Sequence, residues 1–196
     1  MRYETKRLIV WAMHFVTWPL GQPARLAHRL GSSESLFDFS AKLLSLVPGV
    51  IGQYLRASFY MQTLSECHYD LSVSFGSFFS HPTARVGPAV YVGSYSIIGT
   101  AELGDGVVIA SQASILSGRH QHGSAVAPGM GTDPVYTMVR IGADSWIGEG
   151  AIVMASIGRR CIVGAGAVVS KPVPDDSVAV GNPARLLDRS GRQSEA

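Results

Sequence analysis

Cysteine is scarce in this chain. Two residues, Cys67 and Cys161, stand far apart among 196, and neither belongs to a CxxC or Cys/His ligand pattern. That leaves no disulfide framework and no cysteine-based metal motif, and it fits a reduced, cytoplasmic chain. Charge is scarce as well. Charged residues make up 15%, the formal net charge is +2, and there is no dense Lys/Arg run. A balance that mild argues against nucleic acid as a partner. No apolar run reaches the roughly 20 residues a bilayer span needs. The longest, within "KRLIVWAMHFVTWPL" (Lys6 to Leu20), is broken by His14 and Pro19 and lacks a small-x-small cleavage site after it.

Apolar residues and glycine are plentiful: 46% of the chain is hydrophobic and 22 residues are Gly. A chain of this length and composition can bury one sizeable core. The N-terminal third reads as helical. Lys6 to Leu20 forms a helix that either packs on the domain or lies in a membrane interface, with Trp11, Phe15 and Trp18 as anchors. The second reading expects a peripheral contact at the inner face of the membrane. A polar linker, "HRLGSSES" (His28 to Ser35), follows. Leu36, Phe39, Leu43, Leu46 and Val47 recur at helical spacing and read as a structural stripe, and "VPGVIG" breaks the helix. "QYLRASFYMQTLSE" resumes it, with Leu55, Phe59, Met61 and Leu64 as candidate core residues.

From about Val73 the period changes to six. Val86, Val92 and Ile98 are six apart, as are Leu103, Ile109 and Ile115, then Ile141, Ile147 and Val153, then Ile157, Val163 and Val169. The next residue is usually Gly, and the fourth residue on is often small, as at Ser96, Ala113, Ser145, Ala151, Cys161 and Ala167. Six residues are neither a helical turn nor a hairpin alternation. They suit a β-solenoid of three units per coil, in which the aliphatic residue stacks on its counterpart in the next coil. Glycine relieves the backbone at each corner. The period stops after Ile115 and returns at Ile141, and the excursion between carries "SGRHQHG" with His120 and His122. A loop of that length inside a regular solenoid is a functional candidate.

The segment "VRIGADSWIGEGAIVMASIGRRCIVGAGAVVSKPVPDDSVAVGNPARLL" resembles the hexapeptide-repeat acyltransferase family, and is most similar to its sugar and polysaccharide O-acetyltransferases. The resemblance covers about Val73 to Leu187; "WIG", "VGAGAVV" and "VGNPAR" carry it. It implies a mainly β fold: a left-handed parallel β-helix of hexapeptide repeats with an N-terminal α-helical region and one long loop. The expected divisions are a helical region at 1–70, a β-helix at 71–187 with its loop at 117–139, and a polar tail at 188–196.

The family's chemistry is implied likewise. Such enzymes act as homotrimers, with acetyl-CoA as co-substrate and no metal. The acceptor here is expected to be a sugar or glycan hydroxyl in surface polysaccharide or lipopolysaccharide biosynthesis. The catalytic histidine opens the loop in a small-x-x-His element, which maps to His120. An imidazole near neutrality suits removal of a hydroxyl proton as oxygen attacks a thioester. The oxyanion donor maps to the backbone N–H of Glu149. Gly164, Ala165 and Gly166 match the segment along which pantetheine lies, and Lys171 and Arg185 match cations at the nucleotide phosphates. His122, Trp146 and His81 are candidate acceptor contacts. Maltose- and galactoside-type relatives hold the acceptor with an Asn in an earlier coil; the nearest position here is Ser96, and their acidic N-terminal contact has no match. Three other readings stay open. One is a non-catalytic scaffold, one a serine-type amino-acid acetyltransferase, and one a γ-type carbonic anhydrase in which His81, His120 and His122 would hold zinc.

Overall fold

The computed structural model describes residues 3–31, 33–117 and 137–187. Three helices lead: α1 (Tyr3–Arg29), α2 (Ser35–Ser45) and α3 (Gly49–Thr63). Short parallel strands then wind into about five coils. Coil 1 is β1 (Glu66–Cys67), β2 (Ser72–Val73) and β3 (Phe78–Phe79). Coil 2 is β4 (Arg85–Val86), β5 (Tyr91–Val92) and β6 (Ile97–Ile98). Coil 3 is β7 (Ala101–Leu103), β8 (Val108–Ile109) and β9 (Ser114–Ile115). Coil 4 is β10 (Val139–Ile141), β11 (Trp146–Ile147) and β12 (Ile152–Val153). Coil 5 starts at the bridge residue Ile157 and continues through β13 (Ile162–Val163) and β14 (Val168–Val169). Val173 and β15 (Val178–Val180) begin a sixth, and β16 (Arg185–Leu187) turns back antiparallel on β15 and closes that end.

The strands stack into three sheets that form the sides of a prism. Sheet A is β1-β4-β7-β10, sheet B is β2-β5-β8-β11-β13-β15-β16, and sheet C is β3-β6-β9-β12-β14. In each strand the repeat's aliphatic residue points inward. Val92, Ile98, Ile109, Ile115, Ile147, Val153 and Val163 are fully buried. Each such side chain contributes about 1.5–3 kcal/mol of burial, and only stacking supplies it.

The corners explain the glycines. The residue after the aliphatic one passes directly beneath the next coil. A Cβ on Gly93 would lie 2.5 Å from the Ser111 nitrogen, and one on Gly148 2.5 Å from the Ala165 nitrogen. These glycines answer a close backbone approach. The left-handed conformation sits two residues later, and other residue types take it: Ala89, Tyr95, Gln112, Asp144 and Arg160 have φ of 51–60°. This pattern marks the A–B and B–C edges only. The C–A corners vary in length, so register partners are nineteen residues apart at Ser72 and Tyr91, seventeen at Tyr91 and Val108, and sixteen at Ile162 and Val178.

The helices cover the open edge of coil 1. Arg56 of α3 is fully buried with no carboxylate beside it. Its guanidinium donates to the carbonyls of Leu44 (2.9 Å), Ser45 (3.3 Å) and Val47 (2.8 Å) at the end of α2, and to Val73 of β2 (2.9 Å). The Leu44 carbonyl also accepts from the Val47 N–H at 3.2 Å and the Ser45 carbonyl from the Gly76 N–H at 2.8 Å, and the negative end of the α2 dipole favours a cation there. Burial lowers the pKa of the guanidinium. Tyr60 accepts from the Phe79 N–H at 3.2 Å, inside a cluster of Phe37, Phe59 and Phe79 rings.

Three expectations change in detail. The solenoid begins at Glu66, a few residues before the expected boundary, so Cys67 lies inside the first coil. Burial and the nearby Asp70 raise its thiol pKa, which makes it a poor nucleophile. α1 runs nine residues past Leu20 and takes in Pro19 and Pro23. The α2 stripe faces outward: Leu36, Phe39, Leu43 and Leu46 are exposed, while Phe37, Ser40, Ala41 and Leu44 face the core.

Glycine's two roles separate by substitution. Gly93→Ala must push coils apart and should cost about 2–3 kcal/mol in urea unfolding. Gly150→Ala, at φ 66° with nothing within 4 Å, should cost about 1 kcal/mol. Equal losses would contradict the assignment.

Candidate functional site

The three sides of the prism differ in chemistry. Outward residues on sheet A alternate in sign, with Glu66 opposite Arg85, Arg85 opposite Glu102, and Glu102 opposite Arg140. Arg140 pairs with Glu102 at 3.1 Å. Sheet B presents Tyr91, Val108, Trp146 and Ile162 in register. Sheet C presents Phe78, Ile97, Ser114, Ile152 and Val168. Two sides are therefore largely apolar, and Tyr91, Ile97, Trp146, Ile152 and Ile162 remain exposed.

The irregular C–A edge carries the excursion. The Thr137 N–H donates to the Ser117 carbonyl at 3.0 Å, so the chain leaves and returns at one point. Ser117 is buried, and its hydroxyl accepts from the Thr100 N–H at 2.7 Å. Thr100 and Thr83 hydroxyls meet at 3.3 Å in the coil before. His81 sits on this edge in coil 1, and Lys171 sits on it, exposed, in coil 5. His120 and His122 lie outside the described residues.

The B–C edge holds the other group. Glu149 occupies the coil 4 corner, two residues after Ile147. Its carbonyl accepts from the Gly166 N–H at 2.8 Å. Its own N–H has no acceptor among the described residues, and the Ala165 amide, one coil on, is equally unbonded. Ala165 and Gly166 are exposed, and a Cβ on Gly166 would meet nothing within 4 Å. Gly164 is packed under Val180. This corner offers bare backbone to an approaching chain. Trp146 lies beside it on sheet B, 41% exposed. Arg185 is exposed on β16, past the turn at Gly181. Among the described residues, then, the sequence candidates fall on two edges separated by the width of sheet C, about five extended residues or roughly 16 Å.

Two acceptor candidates read differently in place. Ser96 is fully buried, donates to the Ala110 carbonyl at 3.0 Å and accepts from the Ala113 N–H at 3.2 Å. Its hydroxyl is spent on stacking coils 2 and 3 and presents nothing to an acceptor. The same use recurs at Ser77 and Ser145, so the small fourth position of the repeat was the available signal. His81 is half-buried and its Nδ1 pairs with Glu34 at 2.7 Å, tying the α1–α2 linker to coil 1. Cys161 is buried with its Sγ 3.0 Å from the Pro174 carbonyl, an interior thiol as expected. Among the described residues no group of three or more His, Cys, Asp or Glu could hold a metal.

Two clefts lie elsewhere on the surface. One, about 560 Å³, follows the A–B edge and is lined by two cations, Arg140 and Arg159, and three anions, Glu102, Asp105 and Asp175. The other, about 550 Å³, lies between α2 and the solenoid, lined by Phe39, Leu43, Leu46, Phe78 and Tyr95. The Lys42 ammonium stands 5.6 Å over the Phe78 ring at its side. The stripe that its spacing marked as structural thus lines this second cleft.

Residues 138–171 match the hexapeptide repeat of succinyl-transferase. The chain is similar to a probable acetyltransferase of Mycobacterium tuberculosis, 36% identical over 108 residues, which are 53% of this chain and 36% of that protein. It is similar to a serine acetyltransferase of Bacillus pumilus, 32% identical over 118 residues, covering 58% of this chain and 49% of the relative. The chain thus spans less than half of either curated relative. In fold it is similar to a maltose O-acetyltransferase from Clostridium difficile, with a TM-score of 0.65, 23% identity and 82% and 86% of the two chains covered. It also resembles a galactoside acetyltransferase solved in complex with coenzyme A, with a TM-score of 0.64, 20% identity and 89% and 100% covered.

Ser96 gives a test of its reassignment. Ser96→Ala leaves the Ala113 N–H without its acceptor and should cost about 1–3 kcal/mol in urea unfolding. CoA and acceptor affinities measured below the transition should not change. A selective loss of acceptor affinity would restore it to the site.

Proposed function

We propose that this chain, a hexapeptide-repeat protein by its repeat and its β-helix, is an acetyl-CoA-dependent O-acyltransferase whose acceptor is a sugar hydroxyl, in a surface polysaccharide or its lipid-linked precursor. The observation that carries the reading is the exposed backbone corner at Glu149, Ala165 and Gly166, set in a solenoid whose regular coils are interrupted once, by the His120 loop. The named relatives are acetyltransferases, and one neighbour of the same fold holds coenzyme A, which supports the reaction class and the donor.

The chemistry runs as a direct transfer. The acceptor oxygen attacks the thioester carbonyl while the His120 imidazole takes its proton. The Glu149 N–H donates to the oxyanion that forms. The C–S bond then breaks, and the imidazolium returns the proton to the CoA sulfur. No acyl-enzyme is required, and Cys161 and Cys67 are too buried or too basic to form one. Pantetheine lies along Gly164 to Gly166, and Lys171 and Arg185 meet phosphates. Trp146 and His122 line the acceptor side, with His81 at its margin.

This reading requires a second copy of the chain. The loop root and the Glu149 corner occupy different edges of one prism, and the apolar outer sides of sheets B and C suit burial against neighbours. A homotrimer places one copy's loop over the next copy's sheet B side.

The test is release of CoA thiol from acetyl-CoA with a panel of glycans, simple sugars and serine as acceptors. His120→Ala should lower kcat about 10²–10⁴-fold with CoA affinity unchanged. Retained turnover would remove His120 as the base. Because the base must be neutral, wild-type kcat should fall on acidification. Lys171→Ala should weaken CoA about tenfold while leaving CoA that lacks its 3′-phosphate nearly unaffected; equal losses on both would contradict a contact to that phosphate. Turnover of serine alone would replace the sugar acceptor with an amino acid.

A further inference from the structure

α1 has an outer face that the fold leaves uncovered. Its inner face packs on α3 through Val10, Thr17, Gly21 and Ala24. On the outer face Phe15 is 86% exposed, Trp11 54% and Trp18 59%. Leu8, Leu26 and Leu30 are exposed with them. An aqueous surface gains nothing from two tryptophans and a phenylalanine in one stripe, so the face has a partner.

The charge around the stripe identifies that partner. Arg7, Trp11, Trp18, Arg25 and Arg29 follow at four- and seven-residue spacing and form one line along the helix. Arginines thus stand at both ends of a tryptophan pair, and all three are exposed. The helix contains four Lys/Arg and a single acidic residue, Glu4. Leu8, Phe15, Pro19 and Leu26 lie beside that line, on the side that would face down. At 27 residues α1 is about 40 Å long. No described helix is long and apolar enough to cross a membrane. Pro19 and Pro23, both exposed, cannot donate to the carbonyls of Phe15 and Pro19. Carbonyls left without those donors favour the hydrated boundary over the hydrocarbon.

We propose that the outer face of α1 docks in the interface of an anionic lipid bilayer. The helix lies in the plane, with Phe15 and the leucines in the acyl boundary, Trp11 and Trp18 at the headgroups, and Arg7, Arg25 and Arg29 on lipid phosphates. The α2 stripe is a separate surface: it lines the cleft that includes Phe78 and Tyr95 of the solenoid, and no arginine flanks it. The proposal stands independently of the transferase reading, because it uses no residue of that site.

The experiment is flotation of the full chain with vesicles of phosphatidylcholine alone and of phosphatidylcholine mixed with phosphatidylglycerol. Circular dichroism checks the fold of each variant, and mass photometry its oligomeric state. Wild type should float with the mixed vesicles and poorly with the neutral ones. Arg25→Gln with Arg29→Gln should reduce partition roughly thirtyfold. Phe15→Ser with Trp18→Ser should reduce it at least about tenfold. Absence of flotation, equal flotation on both vesicles, or partition unmoved by both double variants would overturn the proposal. A smaller oligomer for Phe15→Ser with Trp18→Ser, without lipid partition in wild type, would make this face a subunit contact and overturn it too.

Discussion

Everything in the solenoid follows from one constraint: successive coils must pass at the spacing of adjacent β-strands, about 4.8 Å, at the corners as well as along the sides. At that spacing a corner residue has its neighbour's backbone where its own Cβ would be. Gly93 and Gly148 are glycine for that reason, and the position two residues later, where the backbone turns left-handed, tolerates Ala, Tyr, Gln, Asp and Arg. The interior is equally confined. Serine survives there only where its hydroxyl bonds two adjacent coils, as Ser77, Ser96 and Ser145 do.

A stack so regular has little freedom left for chemistry, and what freedom there is gathers at one edge. The A–B and B–C corners share one conformation. The C–A corner varies in length from coil to coil, and it is where the His120 excursion departs and returns between Ser117 and Thr137. Inserting chain there leaves every stacked aliphatic residue in register, since Val153 still pairs with Ile115 across the interruption. The remaining faces differ in chemistry: sheet A alternates charge, while sheets B and C present apolar side chains. The ends are closed by unrelated means, β16 at one and the Arg56-clamped helices at the other.

The solenoid was legible in the sequence because its period is carried by identities, an aliphatic residue followed by glycine, which no helix or hairpin reproduces. The same repeat placed Cys161 inside and marked where the loop begins. Other features were not legible. Ser96 looks like any small polar residue until its two coil partners are seen. The stripe of Leu36, Phe39, Leu43 and Leu46 has the spacing of a buried face, yet α2 turns Phe37, Ser40, Ala41 and Leu44 inward, where Phe37 packs on the Phe59 and Tyr60 rings of α3. Period alone gives the axis of amphipathicity, and long-range packing decides which side is in. The division of candidates between two edges was also invisible, since Glu149 and Lys171 are only 22 residues apart in sequence yet lie at opposite margins of sheet C.

That division makes assembly and donor binding a single question. Native mass spectrometry of the full chain with acetyl-CoA addresses both at once. The account predicts a trimer that takes up to three acetyl-CoA, with no ligand on any monomer present. A monomer that binds acetyl-CoA, or a trimer that binds none at saturating ligand, would contradict it.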